Sequence, residues 1–401
     1  MLKKIVTAKQ KCLLAAYVYQ HTCSFAALSL PPLLPLISSE LGLTAGKAGL
    51  LMFALYLSTA VVALPSGFLT DRVREKLLVI FSICILSLGL VLLALVKDFV
   101  TAVVIVLIMG IGYSVSGPLS TKMVAIIFEQ KERATALGIK QTGTSSGSAL
   151  ASLILPPIAV ASKPHLAFMA AAAIAAAAIP LILLNYVRVN NQRKAEAENY
   201  IFRAMFSRGT VLFLLGSFGL GFSMFAMLTH LPLFLTRDVG LSVVEAGFML
   251  ALVQFFSILG RIGLGVLADR FFRKLRVMVL FLASAIAALA SAVFLFSVRS
   301  ETWIAAVSLA FLGFFLFGSI GVVFTVGSEL FSADRVGTTS GMTYFFLAFG
   351  NALGPFVFGH SADILSYWVA WQLYVLFICL CSLTFFFAWL SQAKPRIRSL
   401  S

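Results

Sequence analysis

Twelve stretches of mostly apolar residues, each long enough to cross a bilayer, govern what this chain can become. A helix needs about 20 such residues to traverse the hydrocarbon core, and in lipid every backbone donor and acceptor must be satisfied within the spanning structure. The stretches run over 12–37, 47–69, 77–96, 100–122, 134–160, 165–187, 210–236, 244–267, 276–298, 302–328, 336–361 and 367–391. With 11% charged residues against 61% hydrophobic ones, the chain cannot cover a water-facing surface, for which roughly 25% charged is usual. The expected fold is therefore an all-α membrane protein of twelve transmembrane helices.

The net charge of +15 could point to nucleic acid, but the charges sit in short loops, with no long basic stretch interleaved with aromatic residues. Their placement serves topology instead. With both termini on the cytoplasmic side, 22 of the 30 Lys and Arg fall in inner segments, while the outer loops hold only Lys47, Lys97, Lys163, Arg237 and Arg299. The remaining three, Lys122, Lys140 and Arg261, lie within helices. This alternation predicts an even number of spans in a plasma (bacterial inner) membrane. The basic N-terminus leads into an apolar stretch too long for a signal-peptide core. Cys12, Cys23, Cys84, Cys379 and Cys381 have no metal-ligand spacing and no disulfide pattern, so they read as small core residues, and neither a metal nor a cofactor is expected.

The longest polar interval, residues 189–209, divides the chain into 1–188 and 210–401, each with six spans. The two parts repeat one another. Leu43-Thr44 and Ala48-Gly49 recur as Leu241-Ser242 and Ala246-Gly247; Gly67, Asp71, Arg72, Lys76 and Leu77 recur as Gly265, Asp269, Arg270, Lys274 and Leu275, all displaced by 198 positions. Arg133, Gly138 and Gly147 align with Arg335, Gly341 and Gly350 after small insertions. Six spans return the chain to its starting side, so the halves share one membrane orientation and are expected to form two six-helix bundles related by a pseudo-two-fold axis along the membrane normal.

The loop Gly67-Phe68-Leu69-Thr70-Asp71-Arg72-Val73-Arg74-Glu75-Lys76 resembles the Gly-x-x-x-Asp-Arg signature of the major facilitator superfamily, and Gly265 to Lys274 repeats it. The resemblance covers essentially the whole chain. It implies two bundles that rock about a central site in alternating access. Asp71 and Asp269, at helix ends, are expected to meet a neighbouring helix N-terminus and Arg partners on the opposing bundle, latching one state; Gly67, Arg72, Arg133, Gly265, Arg270 and Arg335 complete this gating set. Ordinary solvated loop charge is the alternative. Gly143 and Gly147, and Gly350 and Gly354, form GxxxG pairs expected to act as hinges, as contacts between bundles, or as simple packing sites.

A charge near the bilayer centre costs at least ~2.5–3.5 kcal/mol on insertion scales, so Arg261 and Lys140 call for a partner or a function. Either could snorkel to the interface. Arg261, however, shares a helical face with Ser257 and Gln254, a polar stripe on an apolar helix. A guanidinium so placed can hold a carboxylate through two parallel hydrogen bonds. An Arg just before the eighth-helix loop motif also resembles the superfamily's monocarboxylate and organic-anion carriers, whose substrate carboxylate binds there. Tyr17, His21 and Ser24, then Tyr113, Ser116 and Ser120, then Tyr344 and Asn351 form further polar stripes, and Lys122 reads as an interfacial anchor. No acidic residue sits mid-helix: Asp238, Glu245, Glu329 and Asp363 lie near helix ends. An organic-cation carrier would be expected to bury a carboxylate.

The string Gly143-Thr144-Ser145-Ser146-Gly147 matches the serine-hydrolase pattern, but that elbow requires a strand-to-helix turn and this one falls within a helix. A P-loop for ATP is absent. The sequence thus points to a non-enzymatic secondary transporter, acting as a monomer, for a small monocarboxylate-like organic anion. Proton symport is the expected coupling, with His21 as candidate proton site. A drug or hydrophobic-compound efflux antiporter, using an interior rich in the chain's 37 Phe, is the alternative.

Overall fold

The computed structural model describes residues 2–186, 207–273, 275–329 and 336–397. Among these, twelve helices are long and apolar enough to cross a membrane. In chain order they are α1 (Ala8–Glu40), α2 (Ala45–Arg72), α3 (Glu75–Leu93), α4 (Phe99–Ile127), α5 (Gln130–Ala161) and α6 (Pro164–Asn185), then α7 (Arg208–Val239), α8 (Val243–Arg270), α9 (Arg276–Ser297), α10 (Thr302–Gly327), α11 (Val336–Ile364) and α12 (Tyr367–Ile397). No strand occurs among the described residues.

Several spans that read as continuous in sequence are interrupted, each for a local reason. Pro31 and Pro32 supply no N–H to the carbonyls four residues back, and α1 breaks just there, between Ala27 and Leu30. Ser29, within the break, donates its hydroxyl to the Phe25 and Ala26 carbonyls at 2.8 and 2.9 Å. Pro118 acts likewise in α4, which is interrupted at Val115 beside the Ser114 carbonyl that lost its donor. In α10 a π-helical turn, Gly313–Phe317, bulges toward α8, and a side chain at Gly260 would collide with the Phe314 carbonyl there. The α7–α8 corner turns on Gly240, whose φ of +86° suits only glycine comfortably, followed by a Ser242–Glu245 capping box.

Within each bundle, helices approach closely at glycines. A Cβ on Gly143 would lie 3.0 Å from the Tyr17 carbonyl, and one on Gly147 would meet the His21 carbonyl and lie 2.7 Å from the Phe25 nitrogen, so α5 packs directly on α1. Gly350 and Gly354 do the same for α11 against the Phe218 and Phe222 backbone of α7. Both GxxxG pairs are therefore internal seams, and the expectation that they join the two bundles is corrected: the small residues face a partner in their own half because that is where the backbones touch.

Contacts between bundles pair α2 with α11 and α5 with α8. Gly49 lies under the Pro355 carbonyl and Gly359 under the Ala45 carbonyl, while Gly247 sits 2.7 Å, from a built Cβ, to the Ser152 carbonyl. At this end the Asp363 carboxylate accepts from the Ala45 and Gly46 amides, both at 2.8 Å. These are the first amides of α2, so a residue of α11 caps the N-terminus of a helix in the other bundle and meets the positive end of its dipole. Arg237 donates to the Leu43 carbonyl at 3.0 Å beside it. The bundles are clasped at this end. At the other, Cβ positions on Gly138 and Gly265 have nothing within 4 Å.

Replacing Asp363 by Asn removes a charge-assisted cap worth about 1–2 kcal/mol. On a cysteine-free background carrying Ala48→Cys, the reaction with a membrane-impermeant maleimide should rise roughly 5- to 30-fold; an unchanged rate would show that the cap does not hold this end shut.

Candidate functional site

The polar residues that interrupt otherwise apolar helices converge where α1, α4, α5 and α8 meet. On α8 the spacing of three and four residues puts Gln254, Ser257 and Arg261 on one face, and that face is turned toward α5. Ser257 is fully buried, with its hydroxyl 2.9 Å from that of Ser145 across the bundle interface. Arg261 points the same way: its NH1 donates to the Gln141 carbonyl of α5 at 2.9 Å and its Nε reaches the Ser257 hydroxyl at 3.4 Å. The guanidinium is thus anchored between the bundles, not extended along the helix toward headgroups.

Lys140, only 3% exposed, donates to Thr121 Oγ1 and to Gln141 Oε1, each at 3.2 Å. Gln141 accordingly touches both cations, one through its backbone and one through its side chain. Neither cation has a carboxylate partner among the described residues. Gln254, also 3% exposed, makes no hydrogen bond among them.

Beside the cations lies a hydroxyl-rich cluster. Tyr17 donates to Ser146 Oγ at 2.9 Å, and His21 Nδ1 is 2.8 Å from the same oxygen. Gln20 gathers Ser24, Thr144 and Ser120 at 3.3, 3.3 and 3.0 Å, and Ser24 passes the chain on to the Tyr113 hydroxyl at 3.3 Å. The polar run Lys140-Gln141-Thr142-Gly143-Thr144-Ser145-Ser146 on α5 is the common wall of both groups. Ser145 and Ser146 lie in mid-helix, so the Gly143–Gly147 string forms no nucleophile elbow.

The stripe on α11 does not join this cluster. Asn351, its amide nitrogen toward α7, donates to the Leu347 and Gly221 carbonyls at 3.0 and 3.3 Å, which places it in a helix seam. Tyr344 stacks on Phe324 with ring centroids 6.3 Å apart and stays 42% exposed. Sequence reading missed Gln20 and Gln141; the unbroken polar run after Lys140 was the signal for the second. Lys122 does hold the end of α4, by an ion pair to Glu75 at 3.3 Å and a hydrogen bond to the Thr70 carbonyl.

Of the expected gating residues, Arg335 and the side chains of Gly67, Asp71 and Arg133 lie outside the described residues. Arg72 is exposed, and Arg270 lies over the Phe271 ring at 5.7 Å. Asp269 pairs with Arg276 at 2.7 Å, across its own loop and within its own bundle. The five cysteines are free, and no metal-ligating cluster occurs among the described residues.

A family model described as Major Facilitator Superfamily matches residues 18–355. The chain belongs to this superfamily. It is a multi-pass membrane transporter, and its relatives are transporters, not enzymes. A hexuronate transporter of Bacillus subtilis is 27% identical over 350 residues, 82% of each chain. A fosmidomycin resistance protein of Escherichia coli is 26% identical over 359 residues, 88% of this chain and 86% of the relative. Among solved structures, a bacterial homologue of the human lysosomal transporter Spinster, in an inward-facing and occupied conformation, superposes with a TM-score of 0.79 at 17% identity, covering 94% of this chain and 96% of that one. At that identity the likeness establishes the superfamily fold alone.

The α1–α5 seam predicts a measurable cost. Gly147→Ala forces a methyl into the His21 carbonyl and separates the helices that carry Tyr17, His21 and Ser146. Overpacking of this kind costs about 1–3 kcal/mol. The melting temperature in detergent should fall by several degrees, whereas Gly321→Ala, with nothing within 4 Å of its Cβ, should leave it unchanged. Equal melting of the two variants would contradict the packing described.

Proposed function

We propose that this transporter moves a small organic anion by alternating access, the solute carboxylate held by Arg261. The observation that carries the reading is the guanidinium's anchorage between α8 and α5, with its second terminal nitrogen unpaired and no carboxylate beside it among the described residues. Such a group offers parallel donors to a planar anion, and the interface that must open and close contains it. Lys140, Gln254 and Ser257 complete the anion end, and Tyr17, His21 and Tyr113 line the neutral end. The hexuronate transporter among the relatives is consistent with an acid as cargo.

Proton symport is the coupling that fits, because taking up an anion with a proton avoids moving net charge. His21, joined to Ser146 and Tyr17 at the neutral end, is the candidate proton site. The chain functions as a monomer in the bacterial inner membrane, with bundles 1–188 and 210–401 joined by a cytoplasmic linker at 189–209 and both termini inside. In that orientation the Asp363 clasp closes the outer end. Gly67, Asp71, Arg72, Arg133, Gly265, Asp269, Arg270 and Arg335 then form the inner gate.

A second reading, efflux of hydrophobic compounds, draws on the fosmidomycin resistance relative and on the aromatic seams. Uptake of a panel of labelled carboxylic acids into proteoliposomes separates the two. Loss of two charge-assisted hydrogen bonds predicts that Arg261→Gln lowers acid uptake on the order of 100-fold, and that Arg261→Lys restores only part of it. If no acid is taken up and none competes, while dye efflux proceeds independently of Arg261, the anion reading falls.

A further inference from the structure

The site holds two cations where a single carboxylate needs one. Lys140 and Arg261 come from different bundles, α5 and α8, yet both bond the same residue, Gln141, at 3.2 and 2.9 Å. Every partner they have is neutral: Thr121 Oγ1, the Gln141 side-chain and backbone oxygens, and Ser257 Oγ. Acidic groups on the helices around them are committed elsewhere. Glu132 of α5 pairs with Lys9 at 2.6 Å, Asp269 of α8 with Arg276 at 2.7 Å, Glu75 of α3 with Lys122 at 3.3 Å, and Glu245 of α8 closes its own capping box. Nothing among the described residues cancels the pair.

Two like charges held close together inside a membrane protein, one of them buried, are costly unless an opposite charge meets them. A monoanion leaves one of them uncompensated. Unused donors remain on both cations, since an ammonium has three hydrogens and a guanidinium five, and two of each are engaged here. The buried, unpartnered Gln254 amide one helical turn from Ser257 adds a neutral donor or acceptor to the same face.

We infer that the solute carries two acidic groups separated by a short spacer, one held by Arg261 and the other by Lys140. This rests on the organic-anion reading and narrows it from a monocarboxylate to a small dianion such as a short dicarboxylate. Both cations touch Gln141, one at its side-chain amide and one at its backbone carbonyl, so a solute with a short spacer between its acidic groups reaches both. A dianion neutralises the site, so the loaded carrier can reorient without an unpaired charge in its interior. It also bridges α5 and α8, which draws the two bundles together around it.

Binding to the full-length protein in nanodiscs, at pH 7.5 and fixed ionic strength, tests this with malonate and succinate against propionate and butyrate. The wild type is expected to bind each diacid at least ten-fold more tightly than its matched monoacid. Lys140→Gln should erase most of that preference, lowering diacid affinity far more than monoacid affinity; Lys140→Arg should keep it, and Arg261→Gln should weaken all four acids. Equal wild-type affinities for monoacids and diacids, or an equal loss of both in Lys140→Gln, would overturn the dianion inference and leave Arg261 as a monoanion site. Binding of acids that survives Arg261→Gln, or no binding of any acid, would instead overturn the organic-anion reading itself. Should Lys140→Gln fail to fold, the wild-type ratio alone decides.

Discussion

In lipid, apolar side chains gain nothing by meeting one another, so helices stay together only where backbones come close and polar groups find partners across the gap. This constraint shapes every contact of consequence in the molecule. Gly143 and Gly147 let α5 rest on the α1 backbone, Gly350 and Gly354 let α11 rest on α7, and Gly260 admits the π-bulge of α10 against α8. These seams make each bundle a unit. Between bundles the contacts are fewer: glycine approaches and the Asp363 cap at one end, with hydrogen bonds from Ser145 to Ser257 and from Arg261 to Gln141 further in. An assembly tied internally by buried glycines and across its middle by a handful of polar bonds is suited to rocking as two bodies.

The same scarcity of polar contacts makes the central ones informative. A hydroxyl in hydrocarbon can satisfy itself on its own helix, as Ser284 and Ser291 do on the carbonyls four residues before them. Tyr17, Gln20, His21, Ser145 and Arg261 instead bond across helices, in a chain that runs from Tyr17 and Gln20 through the α5 polar wall to Arg261. Its two ends differ in character. One is neutral and rich in hydroxyls; the other is cationic and lacks a counter-charge among the described residues. A solute with an acidic head and a hydrogen-bonding body matches that polarity, and its arrival would exchange the Arg261–Gln141 bond for a stronger one to a carboxylate.

Much of this was legible in the sequence, and for identifiable reasons. Bilayer thickness fixes span length, so twelve helices could be counted from apolar runs, and the repeated Gly67–Lys76 and Gly265–Lys274 loops exposed the duplication. The Gln254, Ser257 and Arg261 stripe was visible because helical spacing is local. Partners are not local. Periodicity placed Asn351 on a polar face but could not tell that the face meets α7, and nothing near Asp363 in sequence revealed that it caps a helix in the opposite bundle. The glycine pairs were recognised as close-approach sites, while which helix they approached depended on the packing of all six in a bundle. Breaks at Pro31-Pro32 and Pro118 were present in the residues but hidden inside runs that satisfied the length rule.

The claim on which the account turns is that a half-buried guanidinium between the two bundles receives the acidic group of the solute. A crystal structure with a bromine-substituted short carboxylic acid tests it most directly, since the anomalous signal locates the solute independently of the protein density. The account predicts the acid between α5 and α8, with carboxylate oxygens about 2.7–2.9 Å from the Arg261 nitrogens. An acid bound elsewhere, with Arg261 still donating to the Gln141 carbonyl, would contradict it.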